Sequence, residues 1–142
     1  MFETNGTRII SRLIEGEFPN YEQAIPKKSE NKLKIARTSL EAAIKRASLL
    51  TTPESQAIKL QLQKNRLTVS KTTPEIGEAK EDIQIEYAGD EFLIGFNPGY
   101  LLDVLKNVDE DDVVIELTGP EKPGVIRIKD HYVYIVLPMQ IT

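Results

Sequence analysis

His131 is the only histidine among the 142 residues, and it directly follows Asp130. A Ser–His–Asp mechanism would use it as the base for a serine hydroxyl, with Ser39, Ser48, Ser55 or Ser70 as nucleophile. None of these serines stands in a GxSxG elbow. His131 sits in what reads as a strand turn, where a solvated histidine is the simpler account. The run DEDD at 109–112 offers carboxylates for a metal. Adjacent acids on a short connection diverge and repel one another, so a solvated loop fits better. No HExxH, EF-hand loop, P-loop or GxGxxG is present. Gly95 and Gly99 flank Asn97-Pro98, which is a helix start and not a phosphate cradle. With no cysteine there is no disulfide, thiolate metal site or thiol nucleophile. The residues argue against an enzyme, and no cofactor or metal is expected.

Charge and apolar surface remain. The net charge of −4 hides an asymmetry: residues 1–71 hold 13 Lys or Arg against 7 acids, and residues 72–142 hold 5 against 15. Such a split suits a polyanion-facing side, or edges that meet a partner of opposite sign. The cluster Glu75, Glu78, Glu81 and Asp82 reads either as a strand edge that resists unwanted pairing or as one awaiting a basic partner. Lys45 and Arg46 lie beside the apolar face of a helix, where they either solvate it or contact phosphates. Leu49 and Leu50 end that helix with more apolar surface than one stripe needs, which suits a protein interface. The chain also closes on an apolar stretch, YIVLPMQIT.

These residues need elements to hold them. Residues 7–14 (TRIISRLI) read as a strand, and 15–31 as a long connection with Pro19 and Pro26. KLKIAR (32–37) alternates as a strand does. Thr38, with Glu41 three residues on, predicts a capped helix carrying Leu40, Ala43, Ile44, Ala47 and Leu50 on one face. AIKLQLQ (57–63) and RLTVSKT (66–72) predict a hairpin turning at Lys64-Asn65. Strands follow at 81–88 and 91–96, then a helix capped by Asn97 with Pro98 in its first turn. Strands at 112–119, 124–130 and 132–138 finish the chain. Each half from residue 32 therefore reads strand, helix, strand, strand, strand. The expected fold is α+β, with two helices packed on antiparallel sheets in pseudo-twofold halves. No apolar run approaches the ~20 residues of a membrane span. No secretory signal opens the sequence, so no membrane partner and a cytoplasmic location are expected.

Three stretches together carry a resemblance: SRLIEGEFPNYEQAIP (11–26), FNPGYLLDVL (96–105) and YVYIVLPM (132–139). In order and spacing they resemble the bacterial sliding clamp, the beta subunit of DNA polymerase III. The resemblance implies that residues 1–18 correspond to the last strand of a preceding clamp domain, 19–26 to a linker, and 27–142 to the C-terminal clamp domain. It implies a homodimeric ring, when full length, that encircles double-stranded DNA without reading sequence. DNA polymerase, clamp-loader subunits and repair proteins would dock through short linear motifs. The implied peptide groove takes Pro19, Gln23 and Ala24 from the linker, Pro123 from a loop, and Ile135, Val136, Leu137, Pro138, Met139, Gln140 and Ile141 from the end. Leu49, Leu50, Glu75, Glu78 and Glu81 fall at the implied subunit interface, and Lys45 and Arg46 on the implied DNA-facing helix. Family members carry basic residues where Glu22, Gln23 and Gln140 stand here. A second reading, a stand-alone peptide-binding module that never rings DNA, uses the same terminal stretch.

Overall fold

The computed structural model describes all residues except 13–14, 17–19, 21, 23–24, 27–30, 130–131 and 142. The expected hairpin forms from β4 (Ile58–Gln63) and β5 (Arg66–Thr73). Leu60 faces Val69 and Leu62 faces Leu67 across the ladder, so alternation puts one apolar face inward. Asn65 takes the turn at φ +56°, a left-handed conformation that asparagine tolerates. β6 (Gly77–Gln84) pairs along the whole of β5, and β7 (Phe92–Phe96) pairs with β4. The sheet order is β6-β5-β4-β7. A second antiparallel sheet orders β10 (Tyr132–Val136), β9 (Gly124–Ile128), β8 (Asp112–Glu116) and β3 (Lys32–Ala36).

Two helices lie against these sheets: α1 (Arg37–Ser48) and α2 (Pro98–Lys106). Leu40, Ala43, Ile44 and Ala47 of α1, and Leu101, Val104 and Leu105 of α2, are buried in one core with the strands' inward faces. The halves β3-α1-β4-β5-β6 and β7-α2-β8-β9-β10 repeat the same order. They also interlock, because β3 completes the sheet of the second half and β7 that of the first. Neither half can keep its leading strand without the other, so the two fold as one unit.

The sheets meet at two seams. At the first, Lys34 of β3 bridges Glu86, just past β6: Lys34 N–H donates to the Glu86 carbonyl at 3.2 Å and Glu86 N–H returns a bond at 3.1 Å. At the second, Gly95 of β7 bridges Met139, just past β10, and Met139 N–H donates to the Gly95 carbonyl at 2.8 Å.

Several boundaries differ from the sequence reading. Helix α1 starts at Arg37 with Ala36 as N-cap and no side-chain cap, not at Thr38. The strand runs into the helix without a loop, and the Asp111 carbonyl accepts from Arg37 N–H at 2.8 Å in place of a cap. Glu41 is drawn instead into ion pairs with Arg37 and Lys45. The strand expected at 81–88 begins earlier, at Gly77, because β6 follows β5 to its end. Near the start, β1 (Phe2–Thr4) pairs with β2 (Thr7–Ile9) through Asn5-Gly6, at φ +46° and +80°. That turn suits a tight two-residue hairpin.

Candidate functional site

The terminal stretch is used at the second seam. Past β10 the chain crosses to β7, and a cavity of about 370 Å³ opens there. Leu93, Ile94 and Gly95 line it from β7, Pro120 and Glu121 from the loop between β8 and β9, and Pro138, Met139, Gln140 and Ile141 from the tail. Leu93 is exposed, while Met139 and Ile141 are only partly covered. A site of this kind rewards apolar side chains presented by a partner and offers few charges. It holds no arrangement of base and nucleophile.

The sequence-predicted groove residues separate into groups. Pro138, Met139, Gln140 and Ile141 come together at the cavity. Val136 does not line it: at 2% exposure it belongs to the core beneath. Leu137 points outward and Ile135 is half-buried in β10. Pro123 is also not part of the lining, because Pro120 and Glu121 form that wall at the tip of the loop. Pro19, Gln23 and Ala24 lie outside the described residues. Leu93 and Gly95 were missed by sequence reasoning. Their signal was positional, since both fall on the face of β7 opposite the buried Ile94 and Phe96.

Pro26, in the stretch expected to be a linker, is anchored to the second sheet. Arg127 of β9 donates through its guanidinium to the Pro26 carbonyl at 2.7 Å and to Glu116 at 3.3 Å. Glu116 is 4% exposed, so Arg127 and Lys32 supply the charge compensation that a buried carboxylate requires.

A second surface follows the free edge of β6. The strand order leaves β6 outermost, and among the described residues only Glu86, beyond its end, bridges across to another strand. Glu75 lies in the turn before β6, and Glu78 and Glu81 on the strand itself. Leu49 is 77% exposed and Ile76 is 54% exposed. Thr73 Oγ1 donates to the Leu50 carbonyl at 2.5 Å, which brings the end of α1 to the β5–β6 turn. An exposed strand edge, an apolar knob and an acidic rim thus share one region.

The third surface is the exposed face of the helices. Lys45 pairs with Glu41 at 2.6 Å, and Arg46 makes a two-armed pair with Glu81 at 2.6 and 2.8 Å. The hydrogen bond from Lys45 holds the Glu41 carboxyl below its ordinary range, with help from the Arg37 and Lys106 charges. Three cations thus surround one carboxylate on this face. Lys106 of α2 was not singled out from the sequence.

Comparison with known proteins agrees with this architecture. The family model described as DNA polymerase III beta subunit, C-terminal domain, matches residues 22–140. The beta sliding clamp of Staphylococcus aureus is 35% identical over 144 residues, covering 99% of this chain and 38% of the relative. That of Pseudomonas aeruginosa is 33% identical over 133 residues, covering 92% and 36%. The chain belongs to the bacterial beta sliding clamp family. A crystal structure of the Pseudomonas aeruginosa clamp with ligand superposes at TM-score 0.83 with 33% identity, over 92% of this chain and 36% of that one. A Bartonella birtlesii clamp bound to griselimycin superposes at 0.83 with 28% identity, over the same shares. The clamp domain described here thus spans little more than a third of the length of the relatives it matches. The two helices on antiparallel sheets, and the repeat of strand and helix order, are the clamp-domain fold.

Proposed function

We propose that this clamp domain forms one sector of a ring that encircles duplex DNA and keeps the replication polymerase on its template. It does so by topology and docking, without chemistry of its own. The observation that carries the reading is the apolar cavity between β7 and the C-terminal tail, in a chain of clamp-family fold. Polymerase, clamp-loader and repair proteins would each insert a short peptide there. A leucine or phenylalanine anchor fully buried in such a cavity contributes about 1.5–3 kcal/mol, so two anchors give about 3–6 of the roughly 8 kcal/mol that micromolar docking needs, and the peptide's polar contacts must supply the rest. Met139 can reshape to suit different anchors. With Gln140 in the rim and no Lys or Arg among the described lining residues, apolar contacts dominate selection.

The β6 edge fits the subunit interface of the ring. A basic strand edge from the neighbouring subunit would extend the sheet, meet Glu75, Glu78 and Glu81, and cover Leu49. The cation-bearing helix face fits the phosphate backbone, a sequence-independent contact that weakens with salt.

Titration with a fluorescein-labelled peptide carrying a glutamine, leucines and a phenylalanine, read by anisotropy, tests the docking role. Saturable binding that disappears on deleting residues 138–142 supports it. Binding that survives the deletion, or none even with an added linker-side domain, refutes it.

A further inference from the structure

The two seams are the same structural event in the two halves. Lys34 and Gly95 each lie two residues before the N-cap of their helix, Ala36 and Asn97, and each bridges the segment that follows its half's last strand. Their outcomes differ. At the first seam two reciprocal hydrogen bonds zip the strands, and the Lys34 ammonium lies 3.2 Å from Asp112 and 3.8 Å from Glu86. Lys34, Glu86 and Asp112 line the hollow there, so its wall carries ion-paired side chains. At the second seam, among the described residues, the hydrogen bond from Met139 N–H to the Gly95 carbonyl holds the tail, and the hollow is the cavity between β7 and residues 138–141.

Gly95 accounts for the difference. A Cβ at this position would stand 2.7 Å from the Met139 carbonyl oxygen and 2.9 Å from Ile141 Cγ1. The first contact is with backbone, so no rotamer change relieves it. The backbone of Gly95 is outside the left-handed region, so glycine is required there for space and not for its torsion. We infer that Gly95 is the positioning residue of the groove: its missing side chain lets the tail lie on β7 as an added strand, and that placement brings Pro138, Met139 and Ile141 around the cavity. The inference rests on the peptide-docking reading for its consequence, but the placement of the tail can be measured without it.

The test compares wild type, G95A, the deletion of residues 138–142, and the two combined. Hydrogen exchange of the Met139 amide reports the seam directly. Anisotropy with the labelled glutamine, leucine and phenylalanine peptide reports the groove. G95A is expected to lose Met139 protection and to weaken peptide binding by ~10-fold or more. Adding G95A to the truncated chain is expected to cost nothing further, because the wall it displaces is already gone. K34A, at the equivalent seam, is expected to leave peptide affinity unchanged. If G95A melts lower than wild type, removing the tail should restore it to the truncated parent, since the clash partner is gone. A Met139 amide still protected in G95A overturns the inference, as does protection lost with affinity unchanged, or a melting deficit that survives truncation. If wild type binds no peptide, the docking reading fails while the exchange measurement still decides what Gly95 does.

Discussion

Lys71 is 2% exposed at an inward position of β5, and among the described residues no carboxylate pairs with its ammonium. Its Nζ donates to the Ser55 carbonyl at 2.8 Å, Ser55 Oγ at 2.7 Å and the Ala57 carbonyl at 2.9 Å. Three donors meet three acceptors, which ties the loop after α1 to the sheet. Burial, with the nearby Lys59 charge, pulls this amine below its ordinary range. K71M keeps the stem and removes all three of these hydrogen bonds. We expect a loss of about 1–3 kcal/mol, read as a lower urea midpoint with an unchanged slope. Alternation in RLTVSKT marks position 71 as inward, but not what its ammonium would find there, because its partners come from a loop distant in sequence. Acid conditions act elsewhere. Glu41 and Glu110 are held below the ordinary carboxylate range, chiefly by hydrogen bonds from Lys45 and Lys129. A depressed folded pKa stabilises above the unfolded value of about 4.3 and loses that contribution as pH falls through the folded one. Urea midpoints measured from about pH 6 to about pH 3 should therefore fall less steeply in E41Q than in wild type.

The helix starts separate what is written locally from what is not. Asn97 accepts from Gly99 N–H at 2.8 Å through Oδ1, with Pro98 next, as the sequence predicts. Thr38 and Glu41 spell an equally good capping box, yet α1 begins two residues earlier under a tertiary cap from Asp111. Arg37 adds its own ties there, donating to the Glu110 and Leu105 carbonyls at 3.0 and 3.4 Å. Capping boxes are local patterns, and a carbonyl more than seventy residues away overrides one without leaving a mark in the sequence near it. N97A should cost about 1 kcal/mol, and T38A should stay within about 0.5 kcal/mol of wild type, by thermal or urea denaturation. Equal costs would mean that Thr38 caps after all. The strands were legible because alternation is intrinsic to a half-buried sheet, as Ile58, Leu60 and Leu62 show. The sheet partners were not, since nothing in KLKIA announces that β3 leaves its own half to pair with β8.

Across the molecule, the tail residues of the candidate groove could be placed by resemblance, whereas the wall they lean on could not. Leu93 and Gly95 stand more than forty residues before Met139 and carry no motif, and only the interlocked halves bring them together. The other two surfaces are linked within the first half. Arg46, expected on the DNA-facing helix, is held by Glu81, expected on the subunit edge. One ion pair therefore belongs to both. Its two partners are too exposed for the pair to add much stability, as is usual at a surface. Its consequence is competition: while Glu81 holds the guanidinium, Arg46 is a poor phosphate ligand, and a basic neighbour at the β6 edge would draw Glu81 away. E81Q frees the cation without changing its position on α1. If the helix face meets DNA as proposed, E81Q should bind duplex DNA more tightly at low salt, and the slope of log affinity against log salt should steepen by about one. Binding of a labelled duplex measured across a salt series reads both quantities. An unchanged slope would mean that Arg46 does not reach a phosphate, and would leave Arg37, Lys45 and Lys106 around Glu41 as the cations that carry the contact.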